Sequence, residues 1–188
     1  MLDNYEMSAA AFLEALAEFG IPATHDDVYA ALRVSTDHAV SKFVPQSAAA
    51  SFLIRYRELE APHLEDDPVL FPGAVEVLAA VSEAGGGNYL VSHRNNQVLD
   101  ILAKAGIADY FREVVTKDSG FPRKPDPAAF EYLFAKYGLP KHEAVAIGDR
   151  HIDIEAGRAA GIAAVYFDPP RTEPLATLCI GSLTDLLV

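Results

Sequence analysis

Residues 144–161 have the sequence AVAIGDRHIDIEAGRAAG, the most informative part of the chain for its fold class. It opens with an apolar run of strand length, turns at Gly148, places Asp149 at the turn and continues as a helical pattern that ends at Gly161. A second apolar run, Ile162 to Phe167, follows. The order of strand, acidic loop, helix and strand predicts a βαβ unit. Because ligands of open parallel sheets bind beyond the carboxyl ends of the strands, we expect Asp149 at the functional edge of the sheet.

A second carboxylate, Asp153, follows Asp149 in the first predicted turn of the helix. Both aspartates could be helix caps, since the helix dipole stabilises a negative charge at this end by about 0.3–1 kcal/mol. For Asp153 alone, the cap and the ligand interpretations are equally supported. The pair favours a divalent metal site, because two carboxylates with water and substrate phosphate are a usual ligand set for Mg²⁺. We therefore predict Asp149 and Asp153 as metal ligands.

The rest of the chain changes character at Asp66 to Gly73, where two prolines and a glycine indicate a linker. Before it, helical patterns with apolar faces predict a small helical bundle, with Thr24 as one N-cap. After it, helical and strand patterns alternate, which predicts a parallel sheet covered on both faces. Within this part, Asp126 is expected to cap a helix that starts at Pro127. Residues 180–187 suggest a short final strand and helix.

Two further predicted strand ends carry polar residues. Ser92 closes the strand that starts at Tyr89, and the helix after it offers backbone N–H groups that favour an anion, so that Ser92, His93 and Arg94 are candidate substrate-binding residues. Ser92 could equally be only the end of a strand. Lys124 lies between prolines directly before a helix, a position that fixes an ammonium group near an anion site, whereas Arg123 is expected at the surface. A hydroxyl, a lysine and two carboxylates together suit phosphoryl chemistry.

Composition limits the function classes. The chain has 188 residues with a net charge of −12, which argues against nucleic acid and anionic membranes as partners. It contains no apolar run of roughly 20 residues, no signal-peptide pattern at the N-terminus and one cysteine, Cys179. We expect a cytoplasmic protein with a small anionic substrate. Monomer and homodimer stay open.

In this order, the motifs resemble the haloacid dehalogenase (HAD) superfamily. They are Ser92, Lys124 in the pentapeptide RKPDP, and GDRHIDIEAGRAAG from Gly148 onward. Within the superfamily the chain is similar to phosphoglycolate phosphatases and β-phosphoglucomutase relatives. The resemblance implies an α/β fold. A Rossmann-like parallel sheet core would comprise residues 68–188 with residues 1–4, and a small helical cap residues 5–66.

The resemblance also implies roles for the site residues. Ser92 would bind the transferring phosphoryl group, and Lys124 would tie the phosphate to the nucleophile. Asp149 would be a ligand of Mg²⁺, and Asp153 would support the metal or its waters. Four cap cations are candidates for substrate contact, although a solvated surface is favoured for each: Arg33, Lys42, Arg55 and Arg57.

The chain departs from the family at its first residues. In the family an Asp-x-Asp-Gly-Thr pattern on the first core strand supplies the nucleophile, whereas this chain begins Met-Leu-Asp-Asn-Tyr, similar to the residues that follow that pattern. Asp3 matches a later aspartate and is not assigned as nucleophile. We expect a truncated chain whose first core strand is absent, with a gap of about two strand spacings between the strands that end at Ser92 and Gly148.

The function expected from this resemblance is that of a Mg²⁺-dependent phosphatase. It would act on a small phosphorylated metabolite through an aspartyl-phosphate and be inactive as the truncated chain. The alternatives are a non-catalytic HAD-like binding protein, or a phosphomutase or dehalogenase in full-length form. A nucleotide-binding Rossmann domain is disfavoured, because no Gly-x-Gly-x-x-Gly follows a strand.

Overall fold

The computed structural model describes residues 1–66, 68–167 and 172–187, and of residues 63–66 only the backbone. The chain forms two compact units, Met1–Leu70 and Phe71–Val188. The boundary falls inside the predicted linker, of which Asp67 lies outside the described residues. The roles of cap and core stay predictions.

The first unit is helical, as the apolar patterns predict. Thr24 and Ser35 accept hydrogen bonds from backbone N–H groups at the starts of two helices, which satisfies donors that have no partner inside the helix. None of the helices in the described residues is long and apolar enough to cross a membrane. The helices are α1 (Tyr5–Glu18), α2 (His25–Val34), α3 (Thr36–Phe43) and α4 (Ala49–Asp66), with a 3₁₀ helix at Gln46–Ala48.

The core of this unit is built around aromatic side chains. The Phe12 ring is fully buried and lies 4.8 Å from the Phe52 ring and 5.1 Å from the Tyr56 ring. Arg33 is also buried, at 8% exposure, and its guanidinium lies 4.4 Å from the centre of the Tyr5 ring. The expectation of a solvated surface is therefore wrong for Arg33, because cation–π contact and stem burial hold the side chain inside.

The second unit alternates helices and strands, as predicted. Its elements are α5 (Ala74–Glu83), β1 (Asn88–Val91), α6 (Gln97–Lys104), β2 (Phe111–Val115), α7 (Ala128–Tyr137), β3 (Val145–Gly148), α8 (His151–Ala159), β4 (Ala163–Phe167) and β5 (Leu178–Ile180). Asp126 accepts from the Ala128 backbone N–H at 2.9 Å, but α7 begins one residue later than predicted, with Pro127 as its N-cap residue. The predicted final helix is a 3₁₀ helix, Leu183–Leu187.

All strand pairs described are parallel, but they form two sheets. β1 pairs with β2, and β3 pairs with β4, which pairs with β5. The predicted fold class, an α/β protein with parallel strands, is confirmed. In the described parts of the chain β1 and β3 each have one edge without a partner strand. The absence of a first core strand stays a prediction.

Helix α8 packs closely on β3. Ile154 is fully buried, and a Cβ added at Gly157 would lie 2.7 Å from the Ala146 Cβ. Only glycine allows the helix to approach the strand this closely. This packing fixes the first turn of α8, which carries Asp153, against the carboxyl end of β3.

Candidate functional site

Lys124 joins the ends of the two sheets. Its Nζ donates to the Val91 carbonyl oxygen at 2.7 Å, at the end of β1, and lies 2.6 Å from Asp153 Oδ1 in the first turn of α8. The two side chains are 12% and 15% exposed, so the ion pair is largely withdrawn from water. A loop that precedes α7 thus places an ammonium group where the strands of both sheets end.

His93 holds the backbone of the same lysine. Its Nε2 lies 2.8 Å from the Lys124 backbone nitrogen, which donates. Burial of the ring, together with the charges of Lys124 and Arg123, lowers the pKa of His93 to about 4. The imidazole is therefore neutral near pH 7, and Lys124 is anchored at both its backbone and its ammonium group.

Ser92 continues the pairing of β1 with β2. Its backbone N–H donates to the Val115 carbonyl at 2.8 Å, and its Oγ accepts from the Arg94 backbone N–H at 3.1 Å. The hydroxyl hydrogen stays available for donation to an anion. Arg94 takes part through its backbone, since its carbonyl also accepts from the Lys117 N–H at 2.8 Å.

The structure brings three of the predicted residues, Ser92, His93 and Lys124, to one cleft. The other residues that line it are Val91, Val115, Thr116, Lys117, Phe121, Pro122, Arg123 and Ala129. The ion pair then connects this cleft to Asp153. A strand-end hydroxyl, a neutral imidazole and an ammonium group are thus juxtaposed, which is an arrangement of hydrogen-bond donors suited to an oxyanion.

The two predicted metal ligands follow β3. Asp149 comes directly after the strand, and Asp153 packs on its last residue, so that a Cβ added at Gly148 would lie 2.8 Å from the Asp153 Cγ. Two carboxylates are hard oxygen donors that fit Mg²⁺ when water and phosphate supply the remaining ligands. Among the described residues no three His, Cys, Asp or Glu side chains cluster as ligands. Asp149 and Asp153 thus offer two oxygen donors of a suitable kind, and their role as metal ligands stays a prediction.

Two features of the site were not found from the sequence. The ion pair between Lys124 and Asp153 was not predicted, because nothing in the local pattern relates residues that are far apart in the chain. Arg123 was expected at the surface. It is exposed, but its Nη2 lies 3.5 Å from His93 Nδ1. The position of Arg123 directly before Lys124 in the sequence is the signal that could have placed it near the site.

The family of the chain follows from comparison with known proteins. The family model described as haloacid dehalogenase-like hydrolase matches residues 1–167. The chain belongs to the haloacid dehalogenase-like hydrolase family. The resemblance noted from Ser92, Lys124 and the Gly148 segment is therefore confirmed.

Several HAD proteins are similar to this chain. Phosphoglycolate phosphatase of Vibrio vulnificus is 38% identical over 95 residues, which are 50% of this chain and 42% of that protein. Phosphoglycolate phosphatase 1 of Pseudomonas aeruginosa is 29% identical over 165 residues, which are 84% of this chain and 59% of that protein. The chain spans about half the length of these curated relatives.

A solved structure supports the same assignment. The crystal structure of a hydrolase from Streptococcus pneumoniae TIGR4 is 50% identical, with a TM-score of 0.69. The match covers 93% of this chain and 89% of that one. The α/β fold with parallel strands is therefore that of a solved hydrolase.

Proposed function

We propose that this HAD fold serves as a Mg²⁺-dependent phosphatase for a small phosphorylated metabolite. The observation that carries the proposal is the position of Lys124, whose ammonium group lies between the end of β1 and Asp153. Relatives named phosphoglycolate phosphatase support the same reaction class. The cytoplasmic location stays a prediction.

Each residue of the proposed site would have a separate role in binding or charge neutralisation. The Ser92 hydroxyl donates to a phosphate oxygen, and Lys124 neutralises negative charge on the phosphoryl group during transfer. Asp149 and Asp153 would hold Mg²⁺, which supplies further charge neutralisation when bound. His93 keeps the Lys124 backbone in place.

The nucleophile is the part that these residues do not supply. The family resemblance implies an aspartate in an Asp-x-Asp-Gly-Thr pattern, and the 188 residues contain no such pattern. In the proposed reaction the aspartate oxygen attacks phosphorus and displaces the alkoxide, which takes up a proton from solvent water. A water molecule then attacks phosphorus in the aspartyl-phosphate, gives up a proton to the solvent, regenerates the carboxylate and releases inorganic phosphate. We propose that the 188 residues alone turn over phosphate esters slowly or not at all, and the truncation stays a prediction.

An added strand tests this proposal. A chain with an apolar strand ending in Asp-x-Asp-Gly-Thr joined ahead of Met1 should release phosphate from p-nitrophenyl phosphate in the presence of Mg²⁺. The same fusion with the first aspartate changed to asparagine is the matched control and should be inactive, as should the active fusion carrying Lys124→Met. A folded but inactive fusion would contradict the proposed function. Robust Mg²⁺-dependent turnover by the 188 residues alone would contradict the proposed inactivity.

A second candidate is a non-catalytic binding protein in which another chain completes the sheet. It is favoured by the edges of β1 and β3 that lack a partner strand in the described residues, and by Val145 and Ile147 of β3, which are 49% and 36% exposed. A parallel strand between the sheets would pair those edges. Phosphatase activity and light scattering together distinguish the candidates: the first predicts that the added strand confers activity, whereas the second predicts a complex with another chain that the added strand abolishes.

A further inference from the structure

The hydrogen bond from Lys124 fixes the tautomer of His93. A backbone N–H can only donate, so Nε2 must be the acceptor in the 2.8 Å contact. In a neutral imidazole the single proton then resides on Nδ1. His93 thus presents one N–H donor on the side of the ring away from Lys124.

That donor faces another donor. Arg123 Nη2 lies 3.5 Å from His93 Nδ1, and a guanidinium has only N–H groups to offer. Neither group can accept from the other, so the contact leaves both with N–H donors that an acceptor bound beside them would satisfy. Both side chains line the cleft that also contains Ser92 and Lys124.

The local potential favours a negatively charged acceptor. Besides burial, Lys124, Arg123 and Arg150 all lower the pKa of His93, with Asp153 acting in the opposite direction. Positive charge therefore dominates around this imidazole, although the whole chain has a net charge of −12. A local excess of this kind concentrates anions at one place on an acidic protein.

We propose that His93 Nδ1–H and the Arg123 guanidinium form an oxyanion subsite beside Lys124. This subsite rests on the proposed phosphate site at Ser92 and Lys124 and adds a second contact to it. Its ligand is an oxygen of the same phosphoryl group or a carboxylate carried by the rest of the ester. In the second case the substrate is a phosphomonoester with a nearby carboxylate.

Binding of small probes to the 188-residue chain tests the subsite. ¹⁵N-labelled protein is titrated with 2-phosphoglycolate, which carries a carboxylate, and with ethyl phosphate, which lacks one. Arg123→Gln should weaken binding about tenfold, because a hydrogen bond to a charged group is lost. Arg158→Gln, the same change at an exposed position of α8, is the control and should leave affinity unchanged.

The affinities of Arg123→Gln for the two probes show which group of the ligand binds at the subsite. A loss confined to 2-phosphoglycolate assigns the subsite to a carboxylate, and an equal loss for both probes assigns it to a phosphoryl oxygen. Unchanged affinity for both probes in Arg123→Gln overturns the subsite while leaving the proposed function intact. With Mg²⁺ present throughout, absence of binding by both probes to the unmodified chain overturns the subsite, and the activity of the chain with the added strand then decides the proposed function separately. The long-range ¹⁵N spectrum of His93 gives an independent check, since protonation at Nε2 instead of Nδ1 would also refute the subsite.

Discussion

The contact between Lys124 and Asp153 allows a quantitative test of the site geometry. Two unit charges 2.6 Å apart attract by about 6 kcal/mol at an effective dielectric constant of about 20. The desolvation of two side chains that are only 12% and 15% exposed cancels much of this attraction. We expect a net coupling of about 1–3 kcal/mol between the two residues.

The coupling is measured with a double-mutant cycle. Lys124→Met, Asp153→Asn and the double variant are compared with the parent by urea unfolding, followed by circular dichroism. Each single change should lower the free energy of unfolding by about 2–4 kcal/mol, because it leaves a partly buried partner unpaired. The double variant should lose clearly less than the sum of the two single losses.

A second pair in the same unit serves as control. Lys136 lies 2.8 Å from Glu113, but the lysine side chain is 45% exposed, so water screens this pair. Its coupling should be smaller than that of Lys124 with Asp153. A coupling below about 0.5 kcal/mol for the buried pair, or a larger value for the control pair, would refute the placement of Lys124.

Three further predictions follow from packing and protonation. Gly148→Ala should cost about 1–3 kcal/mol in urea unfolding, because the new Cβ would press on Asp153, and an unchanged free energy would contradict that packing. Phe12→Ala should cost about 3–5 kcal/mol by the same measurement, since the ring is fully buried, and a loss below 1 kcal/mol would contradict its place in the core. The hydrogen bond to Glu173 raises the pKa of His151, so its contribution to stability is complete below about pH 6.5 and is lost as pH rises through the raised pKa. Stability measured between pH 6 and pH 8 should therefore fall more in the parent than in His151→Gln, and equal slopes would contradict the pairing.

Local signals account for the elements that the sequence predicted well. The apolar run before Gly148 and the small residues after it left few alternatives to a strand, a turn and a helix. The N-cap at Thr24 is a second local signal, because the Thr24 side chain accepts a hydrogen bond from the Asp27 backbone N–H. At Asp126 the predicted hydrogen bond exists, with the Ala128 N–H as donor, although α7 begins at Ala128 and not at Pro127.

The contacts of the site depend on distances that no local pattern encodes. The sequence placed Lys124 before a helix, but its pairing with Asp153 requires the loop, β1 and α8 to meet. The role of His93 depends on which ring nitrogen meets a backbone N–H, and this is decided by geometry alone. The burial of Arg33 likewise follows from the packing of α2, which residue type does not reveal.

The two contacts of Lys124 affect how a phosphate and a cation would bind at the proposed site. Its ammonium group already has two oxygen partners, the Val91 carbonyl and the Asp153 carboxylate. A phosphate that takes the ammonium group must displace Asp153 or share it, and an unpaired carboxylate at 15% exposure is costly. A cation held by Asp149 and Asp153 would remove that cost, because it would supply the counter-charge for Asp153 in place of the lysine. Binding of the anion and binding of the cation should therefore favour each other through Lys124 and Asp153.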